Sequence, residues 1–188
     1  TINKRMREDM FMAQRYSHLV GGVGFIVNAI ATLITLLSSP AYIAKGDITG
    51  IRLAYIVALA GGVLMLYFLF GQLCFAKNNL VRIGGLIAGI GYLGVLCSTV
   101  MFLGGYYEAM ASMQGVFMVA AFAYMVGIAM LCIKYIMIFS KKVAAVIICL
   151  VTLFGFAVSI CGLLVGDILY SACFGALLIY FFLTDAQC

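Results

Sequence analysis

Charge is scarce in this chain. Only 11 Lys and Arg and 6 Asp and Glu stand among 188 residues, 9% in all, where a soluble domain carries about 25%. A surface facing water needs polar cover, and here there is too little of it. Most of the surface must therefore face lipid, and a water-soluble globule is excluded. Tryptophan is absent and histidine occurs once, as His18. A lone histidine excludes haem held by two histidines of one chain, and His18, at the start of the first apolar run with no carboxylate near it in sequence, is expected to be structural rather than catalytic. Gly-x-Ser-x-Gly is also missing, and no pair of carboxylates falls inside an apolar run for proton relay. Cys74, Cys97, Cys132, Cys149, Cys161, Cys173 and Cys188 show no C-x-x-C spacing, so a zinc or redox site is not expected. Inside apolar runs such thiols act as small hydrophobes. The expectation is a protein without enzymatic chemistry, cofactor or metal. The net charge of +5 is scattered through short loops, so it reflects topology rather than affinity for nucleic acid.

What the chain does have is long apolar runs. Hydrophobic residues make up 66% and the mean hydropathy is +1.23. Runs near 19–38, 53–73, 83–103, 111–133, 143–165 and 168–184 mostly reach the roughly 20 residues that cross a bilayer core of about 30 Å. Backbone groups in hydrocarbon must bond within their own segment, so each run should be helical. Strands would alternate apolar and polar residues, and Ile83–Leu103 does not. The expected fold is all-α: a polytopic bundle of six transmembrane helices over 19–188, preceded by a cytoplasmic amphipathic segment over 1–18. In that segment Ile2, Met6, Met10 and Ala13 recur at near-helical spacing among Lys4, Arg5 and Arg7, a pattern that suits anionic lipid. It also serves as a plain polar leader. No small-residue cleavage site follows it, so it does not read as a secretory signal. The single proline, Pro40, is expected between the first two spans.

The basic residues orient the bundle. Lys4, Arg5, Arg7, Arg15, Lys77, Arg82, Lys134, Lys141 and Lys142 fall on one side, and only Lys45 and Arg52 on the other. The positive-inside bias then places both termini in the cytoplasm of a bacterial cell. Lys134 lies near a span end, where its stem carries the ammonium to the interface.

Three hairpins of about 62 residues can be read in tandem, as a repeat search requires. Arg15, Lys77 and Lys141 recur at steps of 62 and 64, and Gly21-Gly22 and Gly84-Gly85 lie 63 apart. Asp47, Glu108 and Asp167 mark the three external loops, two of which read Gly-Asp-Ile. In a pseudo-threefold bundle these carboxylates would form an acidic ring at the outer mouth, which favours cations. Separately, each is an ordinary solvated loop residue. Within the spans, Asn28, Thr32 and Thr35 share one helix face, Ser98 and Thr99 end the third run, and Thr152 and Ser159 share a face of the fifth. They are candidates for a polar path or for bonds across helix interfaces. Gly85 and Gly89 make a G-x-x-x-G spacing, and Gly155 with Ser159 a small-x-x-x-small one, which let helix backbones approach.

An external turn followed by a glycine-bearing helix occurs at Pro40 to Gly46-Asp47-Ile48 with Gly61-Gly62, and again at Gly166-Asp167-Ile168-Leu169 with Gly175-Ala176-Leu177-Leu178-Ile179. This pattern resembles the small six-helix bacterial membrane proteins of the HdeD type, over about a third of the chain. The middle unit, Gly105-Tyr106-Tyr107-Glu108, departs from it. The resemblance implies a six-helix fold and a stress-related role, and it transfers no catalytic residue. Besides a membrane enzyme acting on lipid or isoprenoid substrates, which would need clustered polar or charged residues at one membrane face that the sequence does not offer, two functional readings follow from the residues. One is a small transport component: a channel, a carrier or the membrane subunit of a larger transporter. The other is a structural subunit held in a membrane complex, or a homo-oligomer, by its glycine faces. Membrane lipid is the expected surrounding in either case.

Overall fold

The computed structural model describes residues 2–138, 143–160 and 164–184, with side chains from Met12 onward except at 41, 138 and 160. Lys141, Lys142, Cys161 and Cys188 lie outside the described residues, as do the side chains of Lys4, Arg5 and Arg7. The described chain is all helix and turn. Its helices are α1 (Ile2–Lys45), α2 (Thr49–Phe75), α3 (Asn79–Leu103), the short α4 (Tyr107–Ser112), α5 (Gln114–Ile138), α6 (Val143–Ile160) and α7 (Leu164–Leu183). Five of them, α1, α2, α3, α5 and α7, are long and apolar enough to cross a membrane. The bundle thus fits an integral, multi-pass membrane protein. α6 is strongly apolar but shorter, 18 residues, or about 27 Å at 1.5 Å per residue.

Three elements differ from the sequence reading. α1 runs unbroken from Ile2 through the first span and past Pro40. Proline removes a backbone donor and crowds the preceding turn, yet it is tolerated here because the helix has almost left the bundle. Tyr42 and Ile43 beyond it are exposed, and the helix stops at Gly46. The second difference is α4, which precedes α5, so that span starts at Gln114 rather than near 111. The third concerns Gly-Asp-Ile. At 46–48 it is a true turn: Gly46 has φ +68°, its N–H donates to Tyr42 O, and the Asp47 carboxylate accepts from the Thr49 N–H at 2.9 Å. At 166–168 the same three residues lie inside the first turns of α7. There the glycine serves close packing: a Cβ on Gly166 would come within 2.7 Å of Gly155 O.

The six long helices close into a ring. Each packs against its neighbours in the chain, and α7 closes onto α1. Glycine sets the approach at five of these contacts. A Cβ on Gly24 of α1 would lie 2.8 Å from Gly61 O of α2, and one on Gly61 2.9 Å from Gly24 O. Gly22 and Gly175 stand in the same reciprocal relation across α1 and α7, at 2.9 Å each way. Gly84 meets Gly127 O at 3.1 Å between α3 and α5, and Gly155 meets α7 at the Tyr170 backbone. Small faces gain dispersion contacts that lipid cannot match. The G-x-x-x-G pair is used within the chain, since Gly85 faces Leu69 O and Gln72 of α2, and Gly89 faces Phe70. α5 and α6 meet differently, with the fully buried thiols of Cys132 and Cys149 beside each other.

The two ends of the ring differ in what fills them. The end carrying Arg15, Lys77, Arg82 and Lys134, called here the basic end, is solid. Phe25, Met65, Phe68, Leu131, Tyr135, Phe174 and Phe181 are buried to within 1% of complete. Their rings interlock, with Phe25 on Phe174 at 4.9 Å and Tyr135 on Phe181 at 5.1 Å, in the edge-on geometry that aromatic quadrupoles favour. His18 is part of this packing, with its ring 5.8 Å from Phe68 and 6.1 Å from Phe181. Arg15 closes the end: its Nε donates to Phe182 O at 3.0 Å while its guanidinium lies 4.8 Å from the Phe182 ring centre, a cation–π contact. The opposite, acidic end holds Asp47, Glu108 and Asp167, and there the ring is hollow.

Candidate functional site

The hollow is a cavity of about 370 Å³ to which every long helix contributes. α1 presents Asn28, Ala31, Thr32 and Thr35, which the i, i+4, i+7 spacing of its polar residues places on one face. α2 adds Ala54, Tyr55 and Ala58; α3 adds Tyr92, Val95 and Thr99; α5 adds Ala121, Tyr124 and Met125. Ser159 comes from α6, and Leu164, Asp167 and Tyr170 from α7. The floor is formed by the tyrosines, with Tyr92 and Tyr124 at 5.0 Å and Tyr124 and Tyr170 at 6.4 Å. Phe156 stacks under Tyr170 at 4.1 Å. Beside the rim, Tyr55 stacks on Phe102 at 4.3 Å, and Phe102 meets Tyr107 of α4 edge-on.

The threonine and serine hydroxyls on the wall are arranged with one sense. The hydroxyl of Thr32 donates to Asn28 O, that of Thr35 to Ala31 O and that of Thr99 to Val95 O, each at 3.1–3.2 Å. The Ser159 hydroxyl donates to the Asp167 carboxylate. Each of these hydroxyl protons is engaged within the protein, so the oxygens face the cavity as acceptors. The Asn28 amide donates to Ser171 Oγ at 3.1 Å, tying α1 to α7. Among the described residues, Asp167 is the only carboxylate on the wall, and no Lys, Arg or His joins it there.

The structure thus gathers Asn28, Thr32, Thr35, Thr99, Ser159 and Asp167 at one place. It does not gather the other candidates. The Ser98 hydroxyl donates to Val95 O away from the cavity lining, and Thr152, fully buried nearer the basic end, donates to Ile148 O. Asp47 and Glu108 are exposed, outside the cavity lining, one in the turn after α1 and the other in α4. The hydrogen bond from the Thr49 N–H holds the Asp47 carboxyl below its ordinary pKa, because it favours the charged form. The three carboxylates thus occupy three different settings, and only Asp167 reaches the central space. Sequence reasoning missed the tyrosines. Their signal was their placement, Tyr170 one turn from Asp167 and Tyr92 two turns from Thr99. Among the described residues, no three His, Cys, Asp or Glu side chains converge as a metal site would require. Comparison with protein-family models, with curated proteins and with solved structures finds no match.

Proposed function

We propose that this chain is a small transport component of a bacterial cytoplasmic membrane, with six crossings and both termini in the cytoplasm. Its central cavity receives a solute from the outer face, and the aromatic packing beneath is the closed gate. The observation that carries this reading is a cavity walled by all six long helices and floored by Tyr92, Tyr124 and Tyr170. Concave sites with a few convergent polar groups between helices are where small ligands bind. The sidedness rests on the basic residues, which cluster at the solid end and so assign that end to the cytoplasm. A ring in which chain neighbours pack supports three tandem hairpins, although close glycine contacts also join one hairpin to the next, at α1 with α7 and at α2 with α3. The stress-related role implied by the HdeD-type resemblance rests on the sequence pattern alone.

The reading is tested by a cysteine at Thr35 and a membrane-impermeant thiol reagent applied to intact cells. T35C is expected to label well above the parent chain. Labelling only after the membrane is opened would overturn the sidedness and the entry route together. The accessory-subunit reading draws on one feature, the end of α1 beyond Pro40, where Ile43 is 82% exposed outside the bundle. A stoichiometric partner retained in mild detergent, and lost on I43D, would favour it.

A further inference from the structure

We infer that the cavity takes a small organic ammonium ion, its cationic head at Asp167 and its apolar body against the tyrosine faces. This rests on the cavity reading above and adds the chemical class of the ligand. Three independent features of the wall converge on it. The first is charge: among the described residues Asp167 is the only carboxylate there, and no described Lys, Arg or His lines the space to neutralise it. A carboxylate withdrawn from bulk water favours a counter-charge, and here that charge has to come with the ligand. The second is hydrogen-bond sense. With the hydroxyl protons of Thr32, Thr35, Thr99 and Ser159 engaged within the protein, these four side chains offer only acceptors to the cavity, beside tyrosine hydroxyls that can donate or accept. An anion would meet the Asp167 carboxylate, whereas N–H groups and polarised N–CH₃ groups find acceptors.

The third feature separates an organic cation from a bare metal ion. Tyr55, Tyr92, Tyr124 and Tyr170 line the space together with alanines, a valine, a methionine and a leucine. Aromatic faces attract cations through their quadrupole, most strongly where water is excluded, and quaternary ammonium groups are the usual guests of such cages. A calcium or magnesium ion instead takes a shell of six or more oxygens, and most of this lining is carbon. A volume of about 370 Å³ also exceeds what a single dehydrated ion would fill, and suits a ligand of about the smallest size bound in enclosed protein pockets.

The test is calorimetric titration of the full chain in lipid nanodiscs. The titrants are choline, benzyltrimethylammonium, sodium chloride and 3,3-dimethylbutan-1-ol, the uncharged isostere of choline. At least one ammonium is expected to bind saturably, and choline at least about tenfold more tightly than the alcohol. D167N is expected to lose about tenfold or more, while D47N retains binding. The comparison of choline with the alcohol uses only the parent chain, so it stands even if D167N does not fold. Equal binding of choline and the alcohol would overturn the ammonium assignment and leave the cavity reading in place. Binding of sodium with neither ammonium would also overturn it. If no titrant binds while T35C labels from outside, the inference fails alone; if T35C is also silent, the cavity reading fails with it.

Discussion

The same six helices build a solid half and a hollow half, and the difference lies in side-chain size rather than in backbone arrangement. Along α1 the inward positions change from Phe25 to Ala31, Thr32 and Thr35; along α2, from Phe68 and Met65 to Ala58 and Ala54. α5 follows suit, from Tyr135, Leu131 and Ile128 to Ala121. Glycine contacts hold the ring together, with Gly24 on Gly61 and Gly155 on Gly166. Keeping large rings at one end and small side chains at the other leaves a pocket without bending any strut. Stability and binding should therefore separate along the membrane normal: substitutions in the solid half act on folding, and those in the hollow half act on ligand.

The largest effect should come from the scaffold common to both halves. G24V would place a branched carbon 2.8 Å from backbone atoms of both Gly61 and Met65, which cannot move as a flexible side-chain tip can. It should cost about 3 kcal/mol or more, seen as loss of the monodisperse species in detergent. A variant that purifies and melts like the parent would break the claim that glycine sets the helix spacing. The sharper test pits one half against the other. F174A removes a fully buried ring from contacts with Phe25, Phe68 and Tyr135, and should cost about 3 kcal/mol. T32V gives up only an intrahelical bond at the cavity wall and should cost less than about 1 kcal/mol. Both are read from unfolding in mixed micelles, and equal losses would erase the distinction between the halves. The smallest effect belongs to D47N. Because the folded-state carboxyl titrates below its ordinary value, its contribution is present above the unfolded pKa of about 3.9 and lost as pH falls through the folded one. The parent should melt slightly above D47N at neutral pH, and the two melting curves should merge well below pH 4.

Much of this was legible before any coordinates. Charge-free runs mark the long helices because hydrocarbon leaves a backbone few alternatives. The polar face of α1 was legible as well, since Asn28, Thr32 and Thr35 fall on one side of any helix that contains them. Residues whose meaning depends on a neighbouring helix were not. Gly166-Asp167-Ile168 matches 46–48 letter for letter, yet only one copy turns. What decides is Gly155 and Ser159 on α6, a backbone close enough to draw the glycine into a packed helix. Tyrosines within an apolar run read alike whether they face the headgroups, as Tyr106 and Tyr107 suit, or the central space, as Tyr92 and Tyr170 do. The spacing rules carry no information about which neighbour a face will meet. Pro40 misled for a related reason, because a helix that has outrun its packing partners tolerates a residue that would kink it inside the bundle.

The length of α1 has a mechanical consequence. Forty-four residues make a rod of about 66 Å, more than twice the thickness of the oily layer. Arg15 fastens that rod to the foot of α7 at Phe182. The stretch before it continues the same helix for about 20 Å. A push or pull on that stretch would be felt first at the Arg15 clasp and next at the ring of phenylalanines below the floor.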